Sequence, residues 1–110
     1  MADPELDPWA PTVDRYVICG LPEGHPQWWE FAVFVTRRWE HQWDVKNRVY
    51  QIDTNGVAEV VPREWDWDPY LMDLPTATRV AVQRAKTVTT RGRTAEQILE
   101  EERCQKQKAA

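Results

Sequence analysis

Carboxylates crowd one short stretch of the chain. Glu64, Asp66 and Asp68 alternate with Trp65 and Trp67 in PREWDWDPYLMD, residues 62–73. General acid–base catalysis needs two such acids whose surroundings push their proton affinities apart. In an extended segment, however, the alternation sends all three acids to one side and both indoles to the other. That predicts solvated acids above packed tryptophans, a surface element and not an active site. The same acids, with Asp73, also lack the turn glycine and distal glutamate of an EF-hand calcium loop.

Other chemistry is thinly supplied. The chain contains no serine, which excludes a serine nucleophile. His25 and His41 have no partner at HxH or HxxxH spacing, and Cys19 and Cys104 form no CxxC, so no metal site is expected. The four glycines make neither GxGxxG nor a P-loop. We therefore expect no catalytic residue, no cofactor and no metal, and a protein that is not an enzyme. The two cysteines read as separate thiols, with a bridge between them as the alternative.

Composition narrows the classes further. At 110 residues the length fits one domain, and 42% hydrophobic with 29% charged residues is an ordinary globular balance. Eighteen acids against fourteen bases leave a net charge of −4, which argues against a nucleic-acid binder that uses its whole surface. No apolar run approaches the ~20 residues that cross a bilayer. The opening MADPELDPWAP is acidic and proline-rich, unlike a signal peptide, so a cytoplasmic protein without a membrane partner is expected. Charge is unevenly placed: residues 64–73 hold four acids and no base, and residues 74–95 hold Arg79, Arg84, Lys86, Arg91 and Arg93 and no acid.

The elements that must position these groups follow from periodicity. Residues 1–13 read as an extended arm, 14–100 as one domain and 101–110 as a polar, frayed tail. Arg15–Cys19 is a strand signal that stops at the loop LPEGHPQ. In WWEFAVFVTRRW, Trp29, Phe31, Val33 and Val35 share one period-two face, opposite Trp28, Ala32 and Phe34, which predicts a central strand covered on both sides. EHQWDVKNRVYQID continues as strand with a bend or turn near Lys46-Asn47. Asn55-Gly56 between RVYQID and VAEVV fits a two-residue type I′ hairpin. Ala77, Val80, Ala81, Ala85 and Val88 form one stripe of a helix over about 76–87, capped by Asp73 or Thr76. Thr94-x-x-Gln97 is a capping box that opens a last helix, with Ile98 and Leu99 as its apolar anchors. The fold class is α+β: an antiparallel sheet of about four strands, a helix across one face and a short C-terminal helix.

This layout resembles that of small uncharacterised proteins of actinobacteria and their phages, which combine a W-x-F-A-V-x-V strand with a V-T-V-N-G-x-T-A turn. Trp29-Glu30-Phe31-Ala32-Val33-Phe34-Val35 matches the first motif. Val88-Thr89-Thr90-Arg91-Gly92-Arg93-Thr94-Ala95 matches the second, with Thr90 in place of valine and Arg91 in place of asparagine. The resemblance spans roughly residues 15–100. It implies a phage-linked origin and no particular activity.

Seven tryptophans exceed what one small core easily absorbs, and indoles are favoured at protein interfaces. The leading expectation is a small non-catalytic accessory or regulatory protein that binds another protein, such as a phage-linked modulator or inhibitor of a host protein. Its docking residues would be Trp65, Trp67, Glu64, Asp66, Asp68, Trp39 and Trp43. One alternative is a nucleic-acid-associated protein that uses Arg79, Lys86, Arg91 and Arg93 on and after the basic helix. The other is a self-assembling structural or virion protein.

Overall fold

The computed structural model describes residues 13–60 and 68–109. The arm expected before residue 13, and Glu64, Trp65, Asp66 and Trp67, lie outside the described residues. Among the described residues, five strands form one antiparallel sheet in chain order: β1 (Arg15–Ile18), β2 (Val33–Trp39), β3 (Gln42–Asn47), β4 (Tyr50–Ile52) and β5 (Ala58–Val60). The class is α+β as expected, with one strand more than foreseen. A helical turn α1 (Trp28–Phe31) precedes β2, and two helices, α2 (Leu74–Thr87) and α3 (Ala95–Ala109), follow the sheet.

Period-two alternation sorts the sheet residues. Val33 and Val35 of β2, Trp43 and Val45 of β3, and Ile52 of β4 all turn to one face and are buried there. Helix α2 lies on that face, and its stripe of Ala77, Val80, Ala81 and Ala85 completes the main core with Met72. Asp73 caps α2 by accepting the Thr76 backbone N–H at 2.9 Å. A second, smaller core gathers Leu21, Phe31, Val88, Ala95 and Ile98 beneath α3. Phe31 is fully enclosed there, so its truncation to alanine would cost about 3–5 kcal/mol. The capping box forms as expected: Thr94 N–H donates to Gln97 Oε1, and Gln97 N–H to Thr94 Oγ1. Helix α3 continues to Ala109, where the sequence pointed to a frayed tail after Glu100.

Three expectations are corrected. Residues 28–31 form a helical turn and not strand, closed by Ala32 N–H on the Trp28 carbonyl. Helical spacing turns Trp28 and Phe31 inward together and swings Trp29 out, 67% exposed, where strand alternation had put it in the core. Trp43, nominated as a docking residue, is only 6% exposed, because it shares the core face with Val45 two positions on. The Asn55-Gly56 hairpin is there, but only Gly56 has positive φ (81°). Gly56 N–H donates to the Asp53 carbonyl, and the Asp53 carboxylate accepts from both Asn55 and Val57 N–H. That side chain selects a three-residue loop with a left-handed glycine in place of type I′. The doubly positive pair appears instead at Arg91 (55°) and Gly92 (78°), inside paired hydrogen bonds between Thr90 and Arg93.

Candidate binding face

The face of the sheet opposite α2 carries the alternate residues. Arg15 and Val17 come from β1, Phe34 and Thr36 from β2, and Lys46 from β3, brought side by side by the register Arg15↔Thr36, Val17↔Phe34 and Phe34↔Lys46. A register slip between Arg37 and Trp39 sits next to Arg38, which reaches over this face. Arg48 enters from the two-residue turn between β3 and β4, held at φ 57°.

Aromatic rings line the same face. The Trp29 ring stands 5.8 Å from Phe34, and Trp28 meets Trp29 edge-on at 4.8 Å. The Arg15 guanidinium lies over the Phe34 ring at 4.1 Å, a cation–π contact. Between these groups runs a groove of about 420 Å³, lined by Arg15, Trp29, Phe34, Arg38, Lys46 and Arg48. A neighbouring cleft of about 650 Å³ shares Arg15, Trp29 and Phe34 and extends to the His25 loop.

The groove is electrostatically one-sided. Its described lining includes four cations and no acid. Arg38 donates to the Asp44 carboxylate at 2.8 Å, and that carboxylate is fully buried beneath it. Gln51 Nε2 donates to the same oxygen at 3.3 Å. Asp44 thus anchors Arg38 from below and offsets its charge, while Asp44 Oδ1 and Gln51 Oε1 accept no hydrogen bond among the described residues. Among the described residues, Arg15, Lys46 and Arg48 enter no ion pair. Three positive charges beside stackable rings form a face suited to an anionic partner.

The loop that delivers the tryptophans is tied down. His25 Nδ1 accepts Gln27 N–H at 3.1 Å and its Nε2 meets Glu102 of α3 at 2.7 Å. The Nδ1 bond makes Nε2 the protonated nitrogen. Cys19, just after β1, donates to the Trp28 carbonyl and accepts from Leu21 N–H. Burial raises its pKa, against the opposing effect of the Leu21 bond, so it is a poor thiolate. Both cysteines are free.

The residues singled out from sequence fall elsewhere. Trp39 is 55% exposed at the β2–β3 turn. Asp68 opens a 3-10 turn that runs to Tyr70, whose hydroxyl donates to Glu59 at 2.7 Å. Arg79 and Lys86 are exposed on α2, across the sheet from the groove. Arg93 is ion-paired with Glu101, and Arg91 sits in the turn between the helices. The structure does not bring these four together with the sheet-face cations. Among the described residues no group of three His, Cys, Asp or Glu could hold a metal ion, and no helix is long and apolar enough to cross a membrane.

The groove was missed because its members are scattered along the chain. A partial signal exists in the strands themselves: Phe34-x-Thr36-x-Arg38 and Asp44-x-Lys46-x-Arg48 set mostly polar and charged residues opposite Val33, Val35, Trp43 and Val45. Comparisons with protein-family models, with curated proteins and with solved structures found no match.

Proposed function

We propose that this protein is a binding module that engages an anionic macromolecule through the open face of its sheet. The observation that carries this reading is the groove with Arg15, Lys46 and Arg48 beside Trp29 and Phe34 and no acid in its described lining. A chain with a net charge of −4 does not gather cations on one face by composition alone. The fold supplies them from three strands and a turn, and spends a buried carboxylate on holding Arg38 in place. The reading moves the expected basic surface from α2 to the sheet. It keeps the sequence-based view of a non-catalytic accessory protein.

Binding to a panel of polyanions, such as heparin, inorganic polyphosphate and poly-glutamate, at ~50 and ~200 mM salt tests it. With three cation contacts, affinity for a flexible polyanion should fall roughly 20-fold over that range. Lys46→Glu with Arg48→Glu should abolish binding, and Arg79→Glu with Lys86→Glu should leave it intact. No binding of any polyanion by the wild-type chain at the lower salt would refute the reading.

A second reading, docking of another protein, rests on Trp39, an exposed indole at a hairpin tip beside Glu40 and His41. A pull-down partner lost on Trp39→Ala, but kept on the sheet-face reversal, would favour it.

A further inference from the structure

We propose that the anionic partner is single-stranded nucleic acid, with a base stacked on Trp29 and the phosphate backbone following Arg15, Lys46 and Arg48. This rests on the sheet-face reading above and names its ligand. Phosphate contacts alone explain the cations, but they leave Trp29 without a reason to stand two-thirds exposed above the groove. An exposed indole costs solvation and gains nothing from a ligand that offers only charge. A base offers a flat ring, and stacking on aromatic or guanidinium planes is how single strands are held with little regard to sequence. The geometry provides both kinds of platform: the Trp29 ring, beside Trp28 and Phe34, and the Arg15 guanidinium, 4.1 Å from the centre of the Phe34 ring.

Size agrees with this ligand. From β1 to β3 the lining strands span two spacings of about 4.8 Å, on the order of 10 Å, and Arg48 extends the face past β3, room for the flat rings of a base or two. A duplex keeps its bases inside and has nothing to give Trp29. An acidic peptide would meet the cations but carries no regular flat ring for the indole. Single strands therefore use more of what this face presents than either competitor.

The test is fluorescence anisotropy at ~50 mM salt with end-labelled 12-mers: a single-stranded oligonucleotide, its duplex, an abasic oligomer of equal charge, and an acidic peptide of equal charge. Each is read against the wild-type chain, Trp29→Ala and Lys46→Glu. Trp29 and Lys46 are both exposed, so circular dichroism should show both variants folded. The expected result is that the single strand binds about ten-fold tighter than the abasic oligomer, and that Trp29→Ala removes that margin while leaving abasic binding unchanged. Lys46→Glu should weaken both. Equal affinity for the single strand and the abasic oligomer, or preference for the duplex or the peptide, would overturn the nucleic-acid inference while leaving an anion-binding face intact. Failure of every probe at low salt would overturn both.

Discussion

Gly20 is the most closely packed of the described glycines in the frame that carries the binding face. It lies where β1, bearing Arg15, hands over to the loop that delivers Trp28 and Trp29. A Cβ placed on Gly20 would stand 2.7 Å from the Cβ of Ala95 at the start of α3. Carbon atoms rest at about 3.5–4.0 Å, so Gly20→Ala must push the helix or the loop away by roughly 1 Å. Overpacking of this kind costs about 1–3 kcal/mol. At about 2.1 cal/mol/K of unfolding entropy per residue, each kcal/mol lowers Tm by about 4 °C in a chain of 110 residues. The expected drop is therefore roughly 4–13 °C by thermal circular dichroism. Ala95→Gly removes the atom that is struck, at a cost of about 0.5–1 kcal/mol for glycine in a helix. The double variant should then recover most of the Gly20→Ala loss, with a coupling of about 1–2 kcal/mol. A Gly20→Ala chain that melts within about a degree of wild type, or effects that simply add, would show that β1 and α3 do not meet as described.

Other perturbations probe separate parts of the structure. Arg91 holds a left-handed backbone that costs an ordinary residue about 1–2 kcal/mol, so Arg91→Asn should raise Tm by a few degrees, and a lower Tm would contradict the turn geometry. Asp73 has a pKa held below its ordinary 3.8 by hydrogen bonds from Thr76, side chain first and backbone N–H second. Its stabilisation is therefore complete above that ordinary value and is lost as pH falls through the lower folded one; Asp73→Asn should flatten that acid limb of a Tm–pH curve. Cys104, exposed on α3, should alkylate well before Cys19, whose proton is held by burial; the reverse order by mass spectrometry would place Cys19 at the surface.

Much of the frame is legible in the residues, because local rules and burial agree there. The stripe Ala77, Val80, Ala81, Ala85 and Val88 is buried at every position, and Thr94 with Gln97 makes both bonds of its box. Failures came where two periods fit the same residues. WWEF reads equally as strand or as a helical turn, and the turn wins because Trp28 and Phe31 can then enter the second core together. At Asn55-Gly56 the dipeptide points to one turn, while the preceding Asp53 side chain decides for another. The binding face is only partly legible, for a different reason. Arg15, Phe34 and Lys46 become neighbours only through strand pairing, whereas the acids of 64–68 and the bases of 79–93 are already clustered along the chain.

Titration of the isotope-labelled chain with a single-stranded oligonucleotide, followed by amide chemical shifts in NMR, places the ligand directly. The predicted shifts fall at Arg15–Val17, Phe34–Arg38 and Asp44–Arg48, together with the Trp29 indole N–H, and leave α2 unmoved. Shifts confined to Arg79–Lys86 and the Arg91–Arg93 turn, with the sheet silent, would contradict the assignment of the binding face.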